Sequence, residues 1–417
     1  MAPLTELSID DLKALQAQLQ TRYDEFSARG LKLDMTRGKP APEQLDLANG
    51  LLSLPGAGDF TTASGVDCRN YGGIDGIPEA RELFGAYMGV SPEEIILGGN
   101  ASLTLMHDTV ANAMQHTAWG KAPIKFLCPS PGYDRHFSIC EHFGIEMVVV
   151  GMDEHGPDMD QVEQLVAGDD SIKGMWCVPK YSNPTGAVYS DAVVDRLASM
   201  PAAADFRIFW DNAYEAHTLE AAPAPLKNIL QACKDVGNPE RVLMFGSTSK
   251  ISFAGMGVSM VAGSVKSMNG VRSNLKAQTI GPDKINQLRH VRFFKDIDGI
   301  HAHMQKHAEI LRPKFEAVLE ILERELGGQG IATWTRPSGG YFVSLDTLDQ
   351  CAAQVIQMAG DAGVKLTAAG ATFPYRKDPR DRNIRIAPSL PALEDIHTAM
   401  EGVAICVQLA SVQKQLS

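Results

Sequence analysis

The stretch "VLMFGSTSKISFAGMG", Val242–Gly257, decides how the chain is read. Its first four residues are an apolar run that stops abruptly at small hydroxyls, glycines and one lysine, Lys250. A short run that is apolar on both faces reads as a buried strand. An ammonium at the end of such a strand is desolvated, so it must be paired, neutralised or put to chemical use. A Walker-type phosphate loop fails, because "GSTSK" lacks the glycine that GxxxxGK[ST] requires directly before the lysine. A surface lysine and a lysine whose amine does covalent chemistry remain, and the other strand ends choose between them.

Six further runs share this character: "EEIILGG", "IKFLCPSP", "IEMVVVGM", "IKGMWCVP", "FRIFWD" and "VSMVAGS". They alternate with helical patterns between about residues 75 and 265, which predicts an α/β fold with a mostly parallel seven-stranded sheet. Ligands of such sheets bind beyond the carboxyl ends of the strands. Leu12, Leu15, Leu19, Tyr23 and Phe26 predict an N-terminal amphipathic helix starting at Asp10 and stopping at Gly30. After about residue 285 the pattern is helical, and strands resume at "ATWTRPSGGYFVSL" and "NIRIAPSL". The division expected is an N-terminal helix and arm over 1–50, packing with the small domain, a large domain over 51–295 and a smaller α+β domain over 296–417.

Composition narrows the function. The 417 residues are 44% hydrophobic and 21% charged, an ordinary globular balance. A net charge of −12 argues against nucleic-acid binding through phosphates. Seven scattered cysteines without a CxxC pair fit a reduced, cytoplasmic setting. The N-terminus has no signal pattern, and no uncharged apolar stretch is long enough to cross a bilayer, so no membrane role is expected. His303 and His307 stand one helical turn apart, but no carboxylate occupies the HExxH place; they read as a solvated helix face rather than a metal site.

The strand ends carry complementary chemistry. "FWDNAYEAH" places Asp211 directly after a buried run, with Tyr214 just beyond it; a carboxylate there needs a cationic partner. "SNPTG" supplies Asn183 before a proline, a turn or cis junction with an amide donor. "PGYDRH" supplies Tyr133 as a flat stacking face and His136. "GGNASLTL" opens a helix with Asn100, Ala101 and Ser102, whose free N–H groups suit a phosphate, and Ser247 and Ser249 add hydroxyls beside Lys250. Taken singly, Asp211 reads equally as a helix N-cap and Asn183 as a turn residue. An amine, a buried carboxylate, a phenol, a stacking ring and an anion cradle together are what a phosphorylated pyridine aldehyde demands.

With "YGGIDGIPEARELF", "DNAY", "STSK" and "NIRIAPS" in order, the chain resembles the class I, fold-type I pyridoxal-phosphate aminotransferases over nearly its whole length. The resemblance implies pyridoxal 5′-phosphate as cofactor and Lys250 as the residue that bonds its aldehyde and shuttles the substrate proton. It implies Asp211 on the ring nitrogen with His136 behind it. Tyr214 and Asn183 would bond the ring oxygen, Tyr133 would stack on the ring, and Asn100, Ala101, Ser102, Ser247 and Ser249 would surround the phosphate. Tyr71 would reach the neighbouring subunit's phosphate in a homodimer with shared sites. Gly38 and Arg385 would meet the substrate, the arginine by a bidentate fork on the α-carboxylate. One departure stands out: where the family has a phosphate-binding arginine after the lysine, this chain has Val258 and Ser259. That trait, with "GKP" and "SFAG", resembles a divergent bacterial aspartate aminotransferase subgroup. The expected reaction is L-aspartate plus 2-oxoglutarate to oxaloacetate plus L-glutamate, with Lys276 as the cation for the distal carboxylate and Arg37 and Arg272 as rivals. An alanine, aromatic or broad-range transaminase is the enzyme alternative. A non-catalytic cofactor-sensing regulator is the alternative of another class, and the short acidic N-terminus offers no DNA-binding module for it.

Overall fold

All seven apolar runs become strands of one sheet in the computed structural model, which describes residues 3–417. In chain order they are β1 (Ile95–Leu97), β2 (Lys125–Pro129), β3 (Glu146–Val150), β4 (Ile172–Cys177), β5 (Arg207–Asp211), β6 (Val242–Ser247) and β7 (Ser259–Gly263). Across the sheet the order is β1-β7-β6-β5-β4-β2-β3. Only β7 runs against its neighbours; the other pairs are parallel. The carboxyl ends of β1, β2, β4, β5 and β6 therefore share one edge, the edge on which the polar segments fall.

Apolar side chains cover both faces of the sheet, which explains why its central strands show no alternation. On one face Trp176, Phe126, Phe209 and Phe245 form an aromatic layer; the Phe209 and Phe245 rings stack at 5.8 Å and Trp176 lies 4.7 Å from Phe209. Gly174 makes room for that layer, since a Cβ there would sit 2.4 Å from the Phe126 ring.

A second core joins the N-terminal helix α1 (Ile9–Ser27) to the chain's last third. Leu12, Leu19 and Phe26 of α1 pack with Val318 and Ile321 and with Met400 and Val403. Ser8, rather than Asp10, caps α1 by accepting from the Asp11 N–H at 3.1 Å. The helix Ile297–Leu326 spans both cores, with Ile300 and Met304 in the first and Leu311 to Leu326 in the second. A three-stranded antiparallel sheet (Ala332–Trp334, Val343–Thr347, Asn383–Ile386) carries Arg385, whose strand position pairs with Ser344. No helix among the described residues is long and apolar enough to cross a membrane.

Candidate active site

A cavity of about 220 Å³ opens at the shared strand edge. Ala101, Ser102, Tyr133, Asn183, Asp211, Tyr214, Ser247, Ser249 and Lys250 line it, with Leu103, Met106, Val178 and Ala213 as apolar wall. Nine of the residues singled out from the sequence thus converge on one space.

Lys250 is its one cationic wall residue. Its Nζ lies 5.0 Å from the centre of the Tyr214 ring. Burial lowers the Lys250 pKa, and the Asp211 charge opposes that shift in part. An amine so placed gives up its proton more easily than a lysine in water. Burial, with Tyr133 and Asp211 nearby, raises the Tyr214 phenol well above its ordinary value, so Tyr214 keeps its proton as a donor.

Asp211 ends β5 and is 3% exposed. Its Oδ2 contacts His136 Nε2 at 2.9 Å, while Oδ1 is buried with no protein partner. His136 is held from its far side by Trp176, stacked at 4.4 Å and 10° between planes, and Tyr133 meets its edge at 4.9 Å. A buried carboxylate oxygen left without a donor is costly unless a cation or N–H arrives from the cavity. A protonated pyridine nitrogen meets that need, so the residues present fit the cofactor.

Asn183, at a cis junction with Pro184, turns its Oδ1 toward Arg385, which donates from NH1 at 3.3 Å. The same NH1 donates to Asp134 Oδ1 at 3.1 Å, while Arg385 Nε is buried without a partner. The guanidinium is therefore fixed by one corner and keeps its Nε edge for another carboxylate. Gly38 sits beside Phe342; a Cβ on it would come within 2.1 Å of that ring, and the Arg385 guanidinium lies 5.0 Å from the same ring.

At the anion end, the helix α2 (Ser102–His116) begins at Ala101 with no side-chain cap, leaving its first N–H groups open to the cavity. Ser247 Oγ donates to Ser249 Oγ at 3.1 Å, and Ser249 Oγ donates to the Asn100 carbonyl at 2.8 Å. The Asn100 side chain itself turns away, donating to the Ala254 carbonyl. Val258 is buried, 1% exposed, and its N–H donates to Thr248.

The remaining sequence candidates stand apart. Tyr71 is 83% exposed, on a loop whose Tyr71 and Gly72 carbonyls accept from Lys284 Nζ. Lys276 is exposed in the last turn of the helix Val265–Gln278 and does not line the cavity. Arg272 is tied to Asp75 at 2.7 Å.

His303 and His307 correct the sequence reading, for they are buried, 5% and 1% exposed. The Ile251 carbonyl accepts from His303 Nε2 at 2.9 Å, and His307 Nε2 lies 3.1 Å from that same nitrogen. Gln44 Oε1 accepts from the Ala41 N–H, which turns Gln44 Nε2 toward His307 Nδ1 at 3.0 Å. His303 thus presents its Nε2 proton to the carbonyl of the residue after Lys250, with His307 packed directly behind it. A pattern that counts histidine as polar assigns this stripe to solvent; its hydrogen bonds allow it to be buried. Among the described residues no group of three potential ligands could hold a metal. His217, which the motif reading left without a role, contacts the Lys250 carbonyl from Nε2 at 3.3 Å.

Burial pushes His217 and His307 down to about 3 and His290 to about 4. Below pH 6.5 the unfolded chain binds protons that these folded imidazoles refuse, so they oppose folding as pH falls toward 4 and not above 6.5. The melting temperature of the cofactor-free protein is expected to fall across that window, with a shallower slope in His290→Gln. An unchanged slope would remove His290 from this account.

A family model described as aspartate amino-transferase matches residues 7–417. The chain belongs to this family. An aspartate aminotransferase of Corynebacterium glutamicum is 46% identical over 99% of this chain and 98% of its own. A Mycolicibacterium smegmatis protein, named only provisionally as an aminotransferase, is 52% identical over 98% of both chains. The crystal structure of an aspartate transaminase from Corynebacterium glutamicum superposes with a TM-score of 0.97 at 45% identity, covering 99% of each chain. The protein is an aminotransferase of fold type I, and members of the family use pyridoxal 5′-phosphate.

Proposed function

We propose that the protein transfers the amino group of L-aspartate to 2-oxoglutarate, giving oxaloacetate and L-glutamate. The reading rests on one observation: a buried amine and an unpartnered carboxylate oxygen line one space, and Arg385, whose Nε has no partner, is bonded to Asn183 in the wall of that space. The 46% identical aspartate aminotransferase supports the choice of donor.

Pyridoxal 5′-phosphate, when bound, supplies an aldehyde for an amine and a protonated ring that accepts electron density from the substrate Cα. Asp211 Oδ1, unpartnered in the protein, would hold the proton on the ring nitrogen, and His136 fixes that carboxylate from behind. Tyr214 and Asn183 would donate to the ring oxygen, and Tyr133 would offer a flat face to the ring. The open N–H groups at Ala101 and Ser102, with the Ser247 and Ser249 hydroxyls, cradle the phosphate without the arginine seen elsewhere. Lys250, the cavity's one amine, would bond the aldehyde at rest and would hold and move the proton of the substrate Cα during turnover. Arg385 grips the α-carboxylate with its Nε edge, and Gly38 lets substrate backbone atoms approach.

Tyr71, exposed on a braced loop, fits a homodimer in which it completes the neighbour's phosphate site. Seven free, buried cysteines fit a reducing cytoplasm. The chain divides into the arm 1–50, the large domain 51–295 and the small domain 296–417. Titrating purified holoprotein with amino acids while recording its absorbance and the 2-oxo acid released tests the reading. Aspartate is expected to exceed alanine and phenylalanine by about tenfold or more in kcat/KM, the value of one charged contact; equal turnover of all three would overturn it.

A further inference from the structure

We infer that Arg135 receives the distal carboxylate of the dicarboxylic substrate. The inference rests on the aspartate reading above and concerns the end of the substrate that Arg385 leaves ungripped.

Arg135 belongs to the first turn of the helix Asp134–Phe143, between two residues already at the site. Consecutive helical side chains project about 100° apart, so neighbours in this turn serve different directions. Asp134 reaches Arg385 at 3.1 Å. Arg135 instead lines an adjoining cleft of about 360 Å³ with Leu103, Thr104 and His107. Leu103 is a wall of both this cleft and the Lys250 cavity, so the two spaces share a side. Burial raises the Tyr133 phenol, and the nearby positive charges of Arg135 and Arg385 oppose that rise; the two guanidiniums thus act on the same ring. Arg135 is exposed and forms no ion pair or hydrogen bond among the described residues. An arginine with a free fork beside a cavity is suited to a planar carboxylate.

The rival cations are less well placed. Arg272 is committed to Asp75. Lys276 lines neither space and would have to come from a second chain. Arg37 is exposed beside Gly38 but lines neither space.

The test compares holoenzymes carrying Arg135→Met, Arg135→Lys, Lys276→Ala and Arg37→Ala with the wild type. Donors are aspartate and alanine, and Kd values for succinate and acetate give a readout independent of turnover. Arg135→Met should lower kcat/KM for aspartate about 10- to 100-fold and weaken succinate similarly, the range of a lost charged hydrogen-bond pair, while alanine and acetate change less than about twofold. Arg135→Lys should recover part of the loss. A uniform fall for both donors, or an unchanged preference in Arg135→Met, overturns the inference. Selective loss in Lys276→Ala or Arg37→Ala alone does the same. A wild type without preference for aspartate instead sinks the aspartate reading itself.

Discussion

Lys250→Ala is expected to abolish transamination, lowering kcat at least about a thousandfold, within the range found when a positioned general base is removed. The substitution deletes the one amine in the cavity, and no other lysine lines it. Burial makes that amine easier to deprotonate, which is what taking a proton from carbon near neutral pH requires. Lys250→Arg should be equally inactive, because a guanidinium stays charged at any working pH. Stability should move the other way. A buried ammonium costs folding free energy, so the cofactor-free Lys250→Ala protein should melt no lower than the wild type. Single-turnover assays with aspartate, together with thermal melts of both apoproteins, measure the two effects. Activity within tenfold of wild type would be incompatible with the proposed role.

Asp211→Asn should be the next most damaging change, costing about 100- to 1,000-fold in kcat, or about 3–4 kcal/mol, within the range for removing one partner of a buried charge pair. Asparagine has nearly the same shape and can still contact His136, so packing around Trp176 and Phe209 is kept. What disappears is the negative oxygen facing the cavity, the one atom there with no protein donor. A neutral amide cannot hold a proton on the ring nitrogen, so electron withdrawal from the substrate weakens. Cofactor should also dissociate more readily, which dialysis and absorbance can follow. A variant with normal turnover and normal retention would contradict the assignment.

The sheet was legible because buried parallel strands write themselves as apolar runs that stop at glycine, serine or proline. The convergence of Tyr133, Asn183, Asp211, Tyr214 and Lys250 was legible for a related reason: each follows such a run, and parallel strands bring their carboxyl ends to one edge. Contacts between distant segments left no local trace. Asp134 meets Arg385 only because a helix start and a strand of the small sheet come together across 251 positions. Gln44 reaches His307 across 263 positions, and nothing in the periodicity of either segment signals it. His303 and His307 were misread because burial of a polar side chain depends on hydrogen bonds that a hydropathy pattern does not record. Tyr71 shows the limit of one chain, since its ring is 83% exposed and no contact among the described residues gives it a role.

Sodium borohydride reduction of the holoprotein, followed by protease digestion and mass mapping of its lysine peptides, tests the central claim most directly. The account predicts the phosphopyridoxyl mass on Lys250 and on no other lysine, with the label lost when aspartate is added before reduction. A label on a different lysine, or an unlabelled Lys250 in protein that retains its cofactor, would contradict it.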